Sequence, residues 1–316
     1  MALPSTGAIS FNNVNQELGK ASPYNQTITM NDSDVRTLFG KASGAIAMSD
    51  GWGKSNTKIE ATGGTVYTNG DYKIHIFAST ATFSVTKLTD TSMLAEAFCV
   101  GGGESGIGGE ERDCNYNGGN GGSGGNGGMR KKYLSYNFAN LLRSTTGDIT
   151  ITVGAAGDSH TGFTGQGGGS YYSDNAPSQS NGGAGGLGGN TSIYGYNGTP
   201  GANGVDGDFV SWTGSNIYAG GGGGGGGGGA YNVYGSDYGG GGGNGGNGGG
   251  GNGGAGANAS GGNQSSGGNG DNAGTYGGGG GGGGGACGEP NCDKINSGGD
   301  GGLGSSGVVI IRYKFR

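Results

Sequence analysis

Alternation of apolar and polar positions is concentrated in a short part of the chain, residues 61–100, and there it predicts β-strands. Thr65–Thr68 is followed by Asn69-Gly70, a strong two-residue hairpin signal. Tyr72–Phe77 alternates as the second strand of that hairpin, and Thr80–Val85 and Met93–Val100 follow as further strands. The last of these runs directly into glycine.

Two further strand patterns lie far along the chain. Asp148–Val153 alternates cleanly, and Val308–Tyr313 is a continuous apolar run. Short strands this widely separated need to meet in one sheet or sandwich. The glycine-rich residues between them must therefore fold compactly and return the chain.

Residues 1–60 are polar and contain two short helix signals. Ser10 can cap a helix through Leu18 that ends at Gly19, and Asn31 to Ser33 can cap Asp34–Phe39, which ends at Gly40. A module of about 60 residues buries little apolar area, and it therefore usually needs a partner surface to be stable. We therefore predict that residues 1–60 are a docking module, whose candidate contact residues are Phe11, Val14, Leu18, Val35, Leu38 and Phe39.

Composition rules out a conventional oily core for the whole chain. Glycine supplies 90 of 316 residues, roughly four times its average share of about 7%, and hydrophobic residues make up 30%. The remaining 61–316 is predicted to be one glycine-rich domain, with the lattice at 101–307 and strands at 61–100, 148–153 and 308–313.

Charge and segment lengths exclude several classes of partner. The net charge is −6, which disfavours nucleic acid and anionic membranes. The only basic cluster, Arg130–Lys132, is expected to be a solvated turn. No run of 18 apolar residues exists and no signal peptide is visible, so we expect no membrane insertion. The four cysteines are too few for a disulfide scaffold, although Cys287 and Cys292 could bridge one loop.

A period of three in the glycine-rich region predicts folding rather than flexibility. Asn117, Asn120, Ser123 and Asn126 are each separated by Gly-Gly, which would line their side chains along one edge of a polyglycine II helix. The unbroken runs Gly220–Gly229 and Gly277–Gly285 would have no side-chain edge at all. They are predicted to be interior helices of a bundle, with the Gly-Gly-X segments outside.

Energetics require such a bundle to be closed on all sides. Ordering a residue costs about 1–2 kcal/mol, and a hydrogen bond returns about 0.5–1.5 kcal/mol. The hydrogen bonds offset the cost of ordering only if nearly every glycine is surrounded by neighbouring segments. Collagen is excluded, because none of the five prolines lies inside the glycine runs. The predicted fold class is thus mostly irregular and β: packed polyglycine II helices, short flanking strands and a small helical N-terminal module.

Enzymatic motifs are absent from the sequence. His75 and His160 are far apart and show no metal-ligand spacing, and no phosphate-binding G-K-[ST] ending follows the glycines. We expect no catalytic residues, no metal and no cofactor.

Aromatic residues cluster in the segments between glycine runs, together with Ser, Asn and Asp. This composition is typical of binding loops, because Tyr and Trp give rigid contact area and Ser and Asn give adaptable hydrogen bonds. The alternative is that these aromatics only cover the ends of the lattice. The candidate binding residues are Tyr171, Tyr172, Tyr194, Tyr196, Trp212, Tyr218, Tyr231, Tyr234 and Tyr238.

Two stretches carry a resemblance to known families. Ile9–Gly19 and Asn31–Gly40, with the continuation Lys41-Ala-Ser-Gly-Ala-Ile, resemble the opening of phage tail and fibre proteins. Residues 61–316 resemble the glycine-rich domain of phage structural proteins. That resemblance rests on a Thr/Tyr-rich hairpin, a strand that enters glycine and a closing apolar strand, here Gly63–Phe77, Ala95–Gly103 and Gly307–Tyr313.

The lattice also resembles the receptor-binding adhesins of T-even-like phages, although the N-terminal module differs from theirs. The resemblance implies a tail fibre or fibre-tip protein of the virion, attached to other tail proteins through residues 1–60. Its loops would bind a host surface protein or glycan. A purely structural virion protein, such as a baseplate or decoration protein, is the alternative. An ice-binding protein is a remote alternative, because bulky tyrosines interrupt the flat face that ice requires.

Overall fold

The N-terminal helices follow the capping signals in the sequence. In this computed structural model, α1 spans Phe11–Glu17. Ser10 caps it, because its hydroxyl accepts from the Asn13 backbone N–H while the Asn13 side chain accepts from the Ser10 N–H. Gly19 then takes a left-handed φ of +67°. Both the existence and the limits of this helix are as predicted.

The second helix, α2, spans Ser33–Phe39 and ends at Gly40 in the left-handed conformation, also as predicted. A single turn of 3-10 helix follows at Met48–Gly51. The apolar faces of both helices pack on each other and on neighbouring residues, forming a small core of their own: Leu3, Ile9, Val14, Val35, Leu38 and Phe39.

Most of the other regular structure is antiparallel β. The structure describes residues 2–20, 26–111, 119–128, 130–142, 145–158, 161–166, 170–172, 186–187, 198–230, 236–260, 265–287 and 297–316. The elements are β1 (Ile59–Thr62), β2 (Thr65–Asn69), β3 (Tyr72–Phe77), β4 (Ala81–Leu88), β5 (Leu94–Val100), β6 (Arg130–Asn137), α3 (Phe138–Leu141), β7 (Gly147–Thr152), β8 (Gly162–Gly165), β9 (Ser170–Tyr172), β10 (Asp208–Val210), β11 (Ile217–Ala219), β12 (Ser236–Asp237), β13 (Ala259–Ser260) and β14 (Val308–Lys314).

Two five-stranded sheets form a sandwich. One has the order β1-β4-β7-β8-β9 and the other β2-β3-β14-β5-β6. Phe83 and Ile149 from the first sheet and Cys99 and Val309 from the second are buried in one shared core. Strand β14 lies between β3 and β5, so the two ends of the glycine-rich region meet side by side in the same sheet, as the strand patterns required.

Several details differ from the sequence expectations. The hairpin turn is Gly70-Asp71 rather than Asn69-Gly70, because Asn69 still pairs with Tyr72. The basic cluster Arg130–Lys132 is not a turn but the start of β6, which pairs with β5. Strand β1 and helix α3 also form, although their sequences carry no clear period.

The outer face of the second sheet is covered by a small hairpin. Strands β10 and β11 pair, and Val210, Trp212 and Ala219 pack on apolar side chains of β3, β5 and β14. This hairpin lies within a segment that the sequence treats as a loop between glycine runs. Its strands were missed because they are only three residues long.

The glycine-rich region consists of extended segments that lie side by side. Residues 220–230 and 277–287 are buried over their whole length. Through backbone hydrogen bonds, 220–230 contacts six neighbours: 119–125, 186, 199–205, 240–246, 248–257 and 279–285. The 277–287 segment likewise has six: 104–110, 119–128, 221–227, 251–257, 268–271 and 299–305.

Hydrogen bonding repeats every three residues along each pair of segments. Gly221, Gly224 and Gly227 donate to Gly248, Gly251 and Gly254, for example, while the residues between them donate to two other neighbours. In the outer segments the burial follows the same period, and every third residue is exposed, as at 241, 244 and 247. The long glycine runs are therefore interior and the Gly-Gly-X repeats peripheral.

Candidate binding end of the glycine lattice

The chain enters and leaves the lattice beside the sandwich. Gly101 follows β5, Gly220 follows β11 and Gly307 precedes β14. Two turns lie at the same end, at Gly248-Gly249 and at Tyr276-Gly277, and all four of these residues have positive φ. We call this the sandwich end of the lattice.

Several described segments of the lattice begin or end at the opposite end. Hydrogen bonds join Gly119 to Ala286, Gly229 to Gly119 and Ala230 to Ala257, so the segments stop together. The Gly198 N–H donates a hydrogen bond to the Tyr238 carbonyl at this same end. The described residues that begin or end segments here define the far end: 111, 119, 198, 230, 238, 258, 265, 287 and 297.

Three of the nine candidate binding residues are described with their side chains, and one of these three lies at the far end. Tyr238 begins an outer segment there and is 63% exposed. Tyr194, Tyr196, Tyr231 and Tyr234 lie outside the described residues. Tyr171 and Tyr172 lie in β9, an edge strand of the sandwich, of which only the backbone is described.

Trp212 lies at the sandwich end and is built into the fold. Its ring is 4.6 Å from the guanidinium carbon of Arg312, and the ring of Tyr72 is 4.9 Å from the same atom. Arg312 also forms an ion pair with Glu96. Because Trp212 is only 7% exposed, it stabilises the β10–β11 hairpin against the sheet and presents little surface to a ligand.

Tyr218 lies on the outward face of the same hairpin. It is 38% exposed, and its ring centre is 5.1 Å from that of Phe209 on the paired strand. The structure thus separates the candidate aromatics: Tyr238 lies at the far end, whereas Trp212 and Tyr218 lie at the sandwich end.

The candidate attachment residues are mostly internal to the N-terminal module. Val14, Val35, Leu38 and Phe39 are buried in its core, and Leu18 is partly buried against them. Of the six, Phe11 is the one with a largely open side chain, at 44% exposed. Sequence patterns identified the apolar helix faces but could not show that these faces pack on each other.

Asparagine and aspartate side chains at the periphery have a role that composition did not reveal. Asn203 Oδ1 accepts from the Asn244 N–H at 2.8 Å, and Asp206 Oδ1 accepts from the Asn247 N–H at 2.7 Å. The side-chain oxygens of Asn269 and Asn272 accept hydrogen bonds from two further backbone N–H groups in the same way. An outer segment lacks some of the six neighbours, so these side chains replace missing carbonyls.

Two buried titratable residues, His75 and Tyr313, lie in contact inside the sandwich. His75 is buried in the sandwich core, with Nδ1 2.7 Å from the Gly63 carbonyl and Nε2 3.0 Å from the Tyr313 hydroxyl. Burial lowers the pKa of His75 and raises that of Tyr313. Within the described ranges no three His, Cys, Asp or Glu side chains group to hold a metal ion. His160 lies outside the described residues.

Two of the four cysteines lie within the described residues. Cys99 and Cys287 are buried, whereas Cys114 and Cys292 lie outside the described residues. Among the helices that the structure describes, none is long and apolar enough to cross a membrane.

Comparison with known proteins gives a match over the glycine-rich region and the strands from β4 to β14. No curated protein matches the chain. A family model described as a glycine-rich domain matches residues 78–314, which begin after β3 and end with β14. The chain therefore belongs to this glycine-rich domain family.

Proposed function

We propose that the chain is a bacteriophage tail fibre or fibre-tip protein of the virion, and that it binds the host surface with the far end of a polyglycine II lattice. The observation that carries the proposal is the separation of two ends. Every described connection at the sandwich end is a tight turn, a hairpin or a strand. The segment ends at the far end adjoin stretches of sequence rich in Tyr, Asn and Ser, and the exposed Tyr238 lies at this end.

The polyglycine II assignment is supported by the hydrogen bonding of the interior segments. Bonds to a given neighbour recur every three residues, and each interior run bonds to six neighbours. A threefold extended helix with no side chains has this symmetry, because its N–H and C=O groups point outwards in three directions each. Such a lattice is rigid, so it would hold the far-end connections in fixed relative positions.

The attachment role of residues 1–60 is supported by their position. Arg316 Nη1 donates to the Gln16 carbonyl at 2.6 Å, and Lys58 N–H donates to the Phe315 carbonyl at 2.8 Å. These contacts place the module where β14 ends, away from the lattice at Val308. Phe11 and Trp52 of the module, 44% and 48% exposed, offer apolar surface to another tail protein.

The test is adsorption of the purified, labelled chain to a panel of bacterial strains. In one variant the far-end connections 112–118, 188–197, 231–237, 259–264 and 288–296 are exchanged for those of another glycine-rich chain, with Tyr238→Ala as a point variant. The control exchanges residues 213–216 at the tip of the β10–β11 hairpin, at the sandwich end, and leaves Trp212 in place. We expect binding to be lost with the far-end exchange and kept with the control.

Two outcomes would overturn this function. If the folded chain adsorbs to no strain and is present in many copies per particle, it is a structural virion protein. If adsorption is lost only when residues 1–60 or 213–216 are changed, the binding surface is not at the far end.

A further inference from the structure

Strand β2 is an open edge of the second sheet. It pairs with β3 on one side only, and all five of its residues are exposed. Val66 and Tyr67 are 46% and 44% exposed, although both residues are typical of paired strands. This edge therefore offers both backbone groups and apolar surface.

The register shows which backbone groups of β2 face outwards. The Asp71 carbonyl accepts from the Phe315 N–H, so Asp71, Lys73 and His75 direct their backbone groups towards β14. Alternation along β3 then directs the intervening residues towards their partners Asn69, Tyr67 and Thr65 on β2. The N–H and C=O groups of Val66 and Thr68 consequently point away from the sheet.

The other edge strands of the two five-stranded sheets, β1, β6 and β9, carry features that discourage pairing, whereas the residues of β2 carry none. Strand β1 has a bulge between Glu60 and Ala61, and Glu60 lies 3.4 Å from the Lys87 ammonium. Strand β6 begins with three basic residues, and β9 is only three residues long. Residues 65–69 contain no charge, no proline and no bulge. Natural proteins rarely leave such an edge uncovered.

We propose that β2 is a two-fold interface between two copies of this chain, joined by antiparallel β2–β2 pairing. With Tyr67 opposite its own copy, Val66 of each chain lies opposite Thr68 of the other. Those are the residues whose backbone groups point outwards, so the pairing forms four backbone hydrogen bonds. The strand is uncharged, so no like charges meet when it pairs with itself.

Side chains fit the same register. Tyr67 lies on the sheet face that carries Ile74, and in a pair without direct hydrogen bonds the two Tyr67 rings are close neighbours. A cleft of about 240 Å³ opens beside Tyr67, bounded by Thr65, Ile76 and Tyr276. Ile76 and Tyr276 form part of the wall of this cleft, on which the incoming ring can pack.

The interface uses neither the N-terminal module nor the far end. It is therefore compatible with the proposed function, and it does not depend on it. A dimer would present two far ends at once, which raises avidity for a repetitive surface without any new contact to it.

Sedimentation velocity of the full chain over a range of concentrations tests the interface. We expect a reversible dimer in the wild type. Tyr67→Glu and Tyr67→Lys each place like charges opposite one another, and each is expected to raise the dissociation constant by about tenfold or more. Leu94→Glu and Leu94→Lys are the matched controls, because Leu94 is 55% exposed on another strand of the sheet.

Charge complementation keeps the test independent of folding. An equimolar mixture of the Tyr67→Glu and Tyr67→Lys chains is expected to dimerise again, and Tyr67→Cys is expected to form a disulfide-linked dimer that Leu94→Cys does not. A wild type that stays monomeric at all concentrations would overturn the interface. So would a dimer that both charged variants leave unchanged.

Discussion

At the scale of single residues, the interior glycines are required because their neighbours are backbone. A Cβ at Gly224 would lie 2.1 Å from the Gly243 carbonyl oxygen, whereas a Cβ at Gly241, in an adjoining outer segment, would meet nothing within 4 Å. We expect Gly224→Ala to lower the free energy of unfolding by about 1–3 kcal/mol or more, because the lattice cannot yield locally.

Gly241→Ala is the matched control for that substitution. Alanine can adopt the backbone conformation of Gly241. The free energy of unfolding should therefore be unchanged or rise by about 0.4–1 kcal/mol, because the unfolded chain becomes less flexible. Urea denaturation of both variants measures the difference. Equal losses in the two would mean that the glycines serve chain flexibility rather than close packing.

Peripheral asparagines are predicted to act through one hydrogen bond each. Asn203→Ala removes the acceptor of the Asn244 N–H and should cost about 0.5–1 kcal/mol, because water partly replaces it. Asn244→Ala retains that N–H and should cost less. Denaturation curves compare them directly, and an equal or larger loss for Asn244→Ala would contradict the capping role.

At the scale of elements, sequence patterns predict the strands and segments that have the same surroundings along their whole length. Strand β14 is flanked by two strands and buried on both faces, so it is a plain apolar run. The Gly-Gly-X period marks the outer lattice segments for a similar reason. Strand β6 was missed because its first residues are basic, and its pairing depends on a strand thirty residues away.

The buried His75 of β3 gives the sandwich a predictable pH dependence. Burial lowers its pKa in the folded state, so the unfolded chain binds the proton more readily. Stability should therefore fall as the pH drops below about 6.5, by up to about 1.4 kcal/mol per pH unit, until the folded-state pKa is passed.

Thermal unfolding measured from pH 7 to pH 5 checks this dependence, with His75→Asn as the comparison. The variant should be less stable at pH 7 but lose less on acidification. The carboxyls whose pKa is lowered act in a separate window, below their ordinary value of 3.8: Asp32, Asp34, Asp50 and Asp90. The same pH slope in variant and wild type would remove His75 as the cause.

At the scale of the whole molecule, the order of parts could not be derived from the sequence. Period and composition indicate a lattice, a sandwich and a module, but not which end of the lattice adjoins the strands. That order depends on the direction of each segment, which is fixed by hydrogen bonds between residues as distant as Gly103 and Ser305. The same topology separates Trp212 from Tyr238, two residues that the sequence groups together.

Contact between the N-terminal module and the sandwich depends on a few polar groups. Arg316 is 13% exposed; its Nη1 donates to the Gln16 carbonyl, and its Nε lies 4.0 Å from Asp71 Oδ1. We expect Arg316→Ala to speed hydrogen exchange of the α1 amides by about tenfold or more, since a hydrogen bond to a charged group contributes about 1.5–3 kcal/mol. Exchange in the lattice should not change.

Lys314→Ala is the control for this whole-molecule prediction, because Lys314 faces the same Asp71 carboxylate but is 55% exposed. Solvent screens such a contact, so its loss should leave α1 exchange close to that of the wild type. If Arg316→Ala instead accelerates exchange in α1, the sandwich and the lattice alike, the three parts unfold as one cooperative unit. Faster exchange confined to α1 would show that this helix opens locally while the sandwich and lattice stay folded.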